Sequence, residues 1–393
     1  MPKAAKLPST RLAILAATSG HSGVDCILTN LIEQWSAWGL EIDLLQIRRH
    51  GPHLAQVPAG VRCIDLGSSH VNTALPALLG YLRRTRPAAL LTDKDRVNRL
   101  AILARALASP QTRLVVRLGT HVSVNLASRK RLERWAQTAS IRWLYPFADR
   151  VLVPSAGVAE DLRAHFALSP ALISIAPSPI VSPRLRDLAR ETIDHPWFNP
   201  SPVDGDRPPV ILGMGELGAR KDFATLIRAF ARVNAERPCR LVILGRGRQH
   251  AALLKLAEEL GVRARVDLPG FVANPYPFMQ RADLFALTSR WEGLGIVLVE
   301  ALACGTPAVS TDCPSGPREI LGPCCPDQLV PVGDDRALAE VIGRTLADPP
   351  QPARLIERAN AFSVAESAAV YLEALGITAD SVRPGGPVRR ESL

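Results

Sequence analysis

The chain of 393 residues contains no run of eighteen or more apolar residues, so nothing in it reads as a helix that spans a bilayer. A secretory leader is not expected either. Lysines at positions 3 and 6 precede an apolar stretch, but that stretch covers only 12–17 and runs into a glycine loop, which reads as a first buried strand. None of the seven cysteines forms a C-x-x-C pair, and their odd number suits a reducing, cytoplasmic compartment. The adjacent Cys324 and Cys325 read as structural. Lysine is scarce, six against an arginine-dominated total of 47 basic residues, so each lysine placed beside a loop invites attention. The second half also lacks any basic excess: residues 1–200 hold 25 Lys and Arg against 14 Asp and Glu, and residues 201–393 hold 22 against 23.

The excess in the first half is densest over 129–150. There Arg129, Lys130, Arg131, Arg134 and Arg142 interleave with Trp135, Trp143, Tyr145 and Phe147. Such a helix can rest on an anionic bilayer, rings at the headgroups and arginines on phosphates. It can equally be an amphipathic helix whose aromatics are core. No RNA or DNA module accompanies the charge, so no nucleic-acid partner is expected.

Length suits two domains, each able to bury a core. Short apolar runs at 12–17, 42–47, 61–66, 89–92, 114–118 and 150–153 alternate with helical stretches such as 26–37, 75–84 and 98–106. Prolines then crowd 177–209, after which runs at 210–213, 240–244, 265–268, 284–287, 307–310 and 329–332 restart the rhythm. Strand–helix alternation with short loops predicts parallel sheets covered on both faces, an α/β class with two Rossmann-like domains. The expected boundaries are 1–182 for the first domain, 183–208 for a proline-rich interdomain segment and 209–361 for the second domain. A helix over 362–377 and a disordered tail over 378–393 complete the division.

The most informative stretch is RWEGLGIVLVE, 290–300. A buried strand at 284–287 runs into Thr288 and Ser289; Gly293 and Gly295 permit a tight turn, and 296–303 reads as an apolar helix stopped by Gly305. A strand–glycine turn–helix unit aims backbone N–H groups and a helix dipole at a docked group, which suits a phosphate. Glu292 at the mouth of the turn and Glu300 two turns down the helix stand roughly 10 Å apart, so they can hold different hydroxyls of one polyhydroxylated ligand. A second loop, Gly213-x-Gly215-x-x-Gly218, follows the strand at 210–213 and spells the nominal dinucleotide fingerprint. It runs on through Ala219, Arg220 and Lys221 before a helix with Asp222 as its expected N-cap. The next strand ends in LGRG rather than in the acidic residue that a nicotinamide site requires.

These stretches carry a family resemblance. GMGELGARKDFATLIRAFARV (213–233), RLVILGRG (240–247), VDLPGFVANPYPFMQRADLFALTSRWEGLG (266–295) and VEALACGTPAVSTDCPSGPREIL (299–321) resemble the retaining family-4 glycosyltransferases, whose C-terminal domain carries an E-x7-E motif in this setting. The match covers most of the second half in the right order; the first half matches more loosely. The resemblance implies the GT-B architecture, two Rossmann-like domains facing across a cleft with the C-terminal helix returning to the first. It implies a metal-independent hexosyltransferase that moves a sugar from a nucleotide-sugar, most commonly UDP-linked, with retention of configuration. The acceptor would be a glycan or lipid-linked glycan of bacterial envelope or exopolysaccharide assembly. The enzyme would be cytoplasmic or peripheral on the inner face of the plasma membrane.

By resemblance, Glu292 meets the sugar ring, Glu300 the ribose, and Gly293, Leu294 and Gly295 lie near the sugar and phosphate. Lys221, with Arg220, neutralises the leaving diphosphate. Family members often place an arginine where this chain has Glu216, which must then point elsewhere or pair with Arg220; Arg246 reads as a solvated surface residue. In the first half, Gly20 and Gly23 bracket the loop that lies against the donor phosphates, Cys26 replaces a basic residue, and His121 approaches the transferred sugar, with His21 a lesser candidate. Asp93-Lys94-Asp95 matches D-x-D, yet no metal and no cofactor are expected, because cations already serve the diphosphate. Three other readings remain open: a non-catalytic nucleotide-binding scaffold of the same fold, an NAD-linked oxidoreductase, and a phosphorylase or synthase of soluble sugars within the same fold.

Overall fold

The computed structural model describes residues 11–378 apart from positions 19, 21, 49, 53, 55, 128 and 200–206. His21, part of the proline-rich stretch and the tail beyond Thr378 therefore lie outside the described residues. The chain divides into two units, one of residues up to Ile180 together with those from Val364, the other Val181–Ser363.

The first unit is built on a seven-stranded parallel sheet: β1 Leu12–Ala16, β2 Ile42–Gln46, β3 Val61–Asp65, β4 Ala89–Asp93, β5 Arg113–Arg117, β6 Arg150–Val153 and β7 Ile173–Ile175. The order is β3-β2-β1-β4-β5-β6-β7, so the winding reverses between β1 and β4. Central strands β1 and β4 are buried along their whole length because helices cover both faces. Strand β7 was not expected: three residues at a sheet edge carry too little periodicity to read.

The helix Gly23–Ala37 begins three residues earlier than the apolar pattern predicts. Ser22 and Asp25 form a reciprocal capping box, with the Ser22 amide donating to Asp25 at 2.8 Å, and Thr18 Oγ1 donates to the same buried carboxylate. Gly20 turns the loop at φ +84°, whereas Gly23 is the helix's first residue and not a loop glycine. The helix Val364–Ala374 belongs to this unit, where Trp35 Nε1 donates to the Ala368 carbonyl at 3.1 Å.

The second unit repeats the plan with six parallel strands. These are β8 Val210–Met214, β9 Arg240–Leu244, β10 Val266–Gly270, β11 Leu284–Leu287, β12 Ala308–Thr311 and β13 Leu329–Val330, in the order β10-β9-β8-β11-β12-β13. Its core packs the helix Phe223–Glu236, through Phe223, Leu226, Ile227 and Phe230, onto the sheet. Described residues of 183–208 fall within this unit: Pro183–Ala189 is a helix, and His195 packs edge-on against Phe198 and Phe278. Strands β8 and β11 pair directly, with Leu284 opposite Ile211. The loops leaving their C-terminal ends therefore emerge side by side at the point where the winding reverses, the place where open α/β sheets bind ligands.

Candidate active site

The loop after β8 is shaped by contact. A Cβ on Gly215 would stand 2.7 Å from Lys221 Cε, so glycine lets the lysine stem lie across the loop. The Lys221 carbonyl accepts from Thr288 Oγ1 at 2.9 Å, and the Arg220 carbonyl from the Arg290 amide at 2.8 Å. Asp222 takes the N-cap position in a left-handed conformation, φ +46°, but its carboxylate does not cap the helix. It accepts from Thr225 Oγ1 at 3.0 Å and pairs with Arg290 at 3.0 Å. The two neighbouring loops are thus laced together through Lys221, Asp222, Thr288 and Arg290.

Glu292 lies at the centre of this lacing, 5 % exposed. Lys221 Nζ donates to its Oε1 at 2.8 Å, Arg220 Nη1 to its Oε2 at 3.1 Å, and Ser289 Oγ to Oε1 at 2.6 Å. Lys221 is itself buried at 6 %, while Arg220 keeps one flank in solvent. Burial works against the charge on Glu292, but Lys221 and Arg220 outweigh it and hold the carboxyl below the ordinary carboxylate range. The Glu292 amide donates to the Pro314 carbonyl at 3.1 Å, which brings the 313–316 loop under the turn. A Cβ on Gly316 would stand 1.9 Å from the Leu294 carbonyl, so only glycine allows that approach. Gly293, Leu294 and Gly295 are buried, and Gly295 at φ +91° precedes the helix Ile296–Ala303.

Glu300 sits within that helix, 5 % exposed and apart from the Glu292 cluster. Its Oε1 accepts from Tyr276 Oη at 3.1 Å. Burial pushes its carboxyl up to about 7, offset only in part by the Tyr276 hydroxyl and the charge of Lys221. Environment has separated the two glutamates, one fixed as an anion and one poised near neutrality.

In the first unit, His121 stands just before the short helix Val122–Ala127. Its Nδ1 lies 3.4 Å from Asp161 Oδ1, which His165 Nδ1 also approaches at 3.2 Å. The other Asp161 oxygen accepts the amides of Val122 and Ser123 at 2.7 and 3.1 Å. Burial lowers the His121 pKa, against the pull of Asp161 and with help from His165. The D-x-D carboxylates are engaged elsewhere: Asp93 pairs with Arg117 at 2.5 Å, and Asp95 with Arg99 at 3.0 Å and the Tyr145 hydroxyl at 3.1 Å. Among the described residues no cluster of three or more His, Cys, Asp and Glu has the form of a metal site.

The structure thus brings Glu292, Lys221 and Arg220 into one cluster beside Gly293–Gly295, holds Glu300 on the adjoining helix, and leaves Gly20, Gly23 and His121 on the other unit. Glu216 is exposed, and Arg220 pairs with Glu292 in its place. Arg246 is exposed over the Phe271 ring. Sequence reading missed Ser289 and Tyr276. Prolines flank Tyr276 on both sides, but nothing in the sequence says that this residue faces a glutamate 24 positions on.

Two family models match the chain: "Glycosyl transferases group 1" over residues 198–362 and "Glycosyl transferase 4-like domain" over 22–178. This chain belongs to the group 1 glycosyltransferases. It is 34 % identical over 254 residues to the N-acetylgalactosamine-N,N'-diacetylbacillosaminyl-diphospho-undecaprenol 4-alpha-N-acetylgalactosaminyltransferase of Campylobacter jejuni, covering 65 % of this chain and 66 % of that protein. It is 38 % identical over 150 residues to the lipopolysaccharide core biosynthesis glycosyltransferase LpsE of Rhizobium meliloti, covering 38 % of this chain and 43 % of that one. The matches therefore span two thirds or less of these relatives' lengths. Among solved structures, the lipopolysaccharide outer core galactosyltransferase WaaB superposes with TM-score 0.68 at 20 % identity. Anabaena HepE in complex with UDP-glucose superposes with TM-score 0.71 at 18 % identity. Each match covers 93 % of this chain and 99 % of the other, and the fold is that of the GT-B glycosyltransferases.

Proposed function

We propose that this glycosyltransferase moves a sugar from a nucleotide-sugar, UDP-linked, to a glycan or lipid-linked acceptor in bacterial envelope polysaccharide or exopolysaccharide assembly. The observation that carries the reading is the buried Glu292–Lys221–Arg220 cluster at the switch point, with Glu300 on the next helix. As the bond from sugar to phosphate lengthens, negative charge grows on the leaving diphosphate; Lys221 and Arg220, already fixed in place, are the groups to receive it. Glu292 keeps those cations in register and faces the sugar side, and Glu300 accepts the ribose hydroxyls. His121 is the first unit's proposed contribution. Retention, by same-face attack with the departing phosphate helping to take the acceptor's proton, and independence of metal follow from family resemblance.

The lipid-linked part of the reading draws on the helix Arg131–Leu144, which buries only Ser140 and Ile141. Tyr145 is core, but Trp135 and Trp143 are each 68 % exposed, and Leu132 and Phe147 are exposed beside the arginines. Aromatic rings held out among basic side chains suit an anionic membrane surface. The Campylobacter relative's name places a diphospho-undecaprenol glycan on its own reaction. The contact proposed is peripheral, through that surface; among the described residues no helix is long and apolar enough to cross a membrane.

Calorimetric titration with UDP, GDP, ADP and NAD, with and without EDTA, tests the reading. We expect one nucleoside diphosphate to bind whether or not EDTA is present and to lose affinity in Glu300→Ala, while Lys221→Ala chiefly lowers turnover. Binding of NAD, or of none of the four, would overturn it in favour of the oxidoreductase or the silent scaffold.

A further inference from the structure

We propose that Tyr276 is a positioning residue for the nucleotide end of the donor: its phenol donates to Glu300 Oε1 and holds that buried carboxyl where it can accept the ribose hydroxyls. The inference rests on the donor-site reading above, and it concerns a residue that reading does not use. Among the described residues, Tyr276 is the side chain that donates to this carboxylate, at 3.1 Å.

The tyrosine is held in place independently of any ligand. Pro275 and Pro277 flank it and restrict the backbone on both sides. Its amide donates to Asn274 Oδ1 at 3.2 Å. Asn274 Nδ2 in turn donates to the Leu188 carbonyl at 2.9 Å and to Glu191 at 2.8 Å. The Cys304 thiol, one turn beyond Glu300, donates to the Tyr276 carbonyl at 3.9 Å. Amide and carbonyl are therefore both anchored within the second unit, and the phenol reaches Glu300 from a fixed backbone.

That contact decides which form of Glu300 meets a ribose. Two vicinal hydroxyls both donate to an ionised carboxylate, whereas a protonated one has lost acceptor capacity. The titratable and charged groups acting on Glu300 are Tyr276, Lys221 and Cys304, and burial pushes the Cys304 thiol up to about 12, so it stays neutral. Burial already brings Glu300 to about 7 with the phenol in place. A hydrogen bond to the charged form opposes that drift, and its removal lets the neutral form prevail at neutral pH.

The test is calorimetric titration of the full chain with UDP between pH 5.5 and 9, comparing wild type, Tyr276→Phe, Glu300→Gln and the double variant. The ligand's own ionisation is common to all four and cancels in their ratios. Wild-type affinity should fall on the acid side of about 7. In Tyr276→Phe that limb should move alkaline by about one pH unit, a loss of about tenfold at pH 5.5 and about fivefold at pH 7 that fades towards pH 9. Glu300→Gln should abolish the limb, and adding Tyr276→Phe to it should change little. A limb that does not move, or a loss equal at every pH, overturns the role of Tyr276 and leaves the donor site standing. Failure of wild type to bind UDP, GDP or ADP overturns the donor site and the proposal together.

Discussion

Replacing Lys221 by methionine keeps the stem that lies across Gly215 and removes the charge that faces Glu292. Breaking a buried pair by deleting one partner costs about 3–5 kcal/mol, because the remaining charge stays desolvated. Arg220 still reaches the other carboxylate oxygen and Ser289 still donates, so the low end applies, about 3 kcal/mol. In a unit of this size that lowers the melting temperature by about 6–12 °C, read by scanning calorimetry. Replacing both partners, Lys221→Met with Glu292→Leu, should recover most of the loss, since an apolar pair of similar volume needs no solvation. Turnover should be absent in the double variant despite its stability, which separates the cluster's chemistry from its structural effect. The pH dependence has a definite sign. The folded state lowers the Glu292 pKa, so its stabilisation is present above the unfolded value, about 4.3, and is lost as pH falls through the folded one. The gap between wild type and Lys221→Met should therefore narrow below pH 4. A Lys221→Met protein that melts with wild type at pH 7, or a double variant less stable than the single, would refute the reasoning.

Gly316→Ala should destabilise the second unit by more than about 2 kcal/mol and weaken UDP binding, because a Cβ meets the Leu294 carbonyl and the residue sits at φ +97°; unchanged melting would show that the turn can give. Arg117→Ala should cost the first unit about 3–5 kcal/mol by stranding Asp93, and Tyr371 loses its donor, while UDP affinity stays unaltered. Trp135→Ala with Trp143→Ala should leave stability within about 0.5 kcal/mol of wild type and abolish sedimentation with anionic vesicles. Retained vesicle binding would assign the exposed rings to another surface.

Much of the architecture was legible before any coordinates. Continuous apolar runs of four to six residues between helical stretches specify buried parallel strands, because a strand covered on both faces has no polar side to show. Twelve of the thirteen strands overlap short, mostly apolar runs, although the edge strand β3 is largely exposed, and the three-residue edge strand Ile173–Ile175 lies in none. The glycines after β8 and β11, and the scarce lysine beside them, marked the loops proposed here to face the donor's diphosphate. Helix 23–37 began early because its start depends on Ser22 and Asp25, a polar cap that apolar periodicity cannot register.

What the chain order could not determine is which charges meet. Lys221 and Glu292 are 71 residues apart and touch because β8 and β11 are neighbours at the winding reversal. That pairing turns Glu292 into an anion locked between two cations, a state its position in the motif does not reveal. Tyr276 and Glu300 meet because the helix Tyr276–Arg281 packs beside Ile296–Ala303, and burial there raises one glutamate's pKa while ion pairing lowers the other's. Local sequence determines backbone shape through sterics and periodicity. Protonation and partner choice depend on distance and desolvation, and those exist only once the chain has packed.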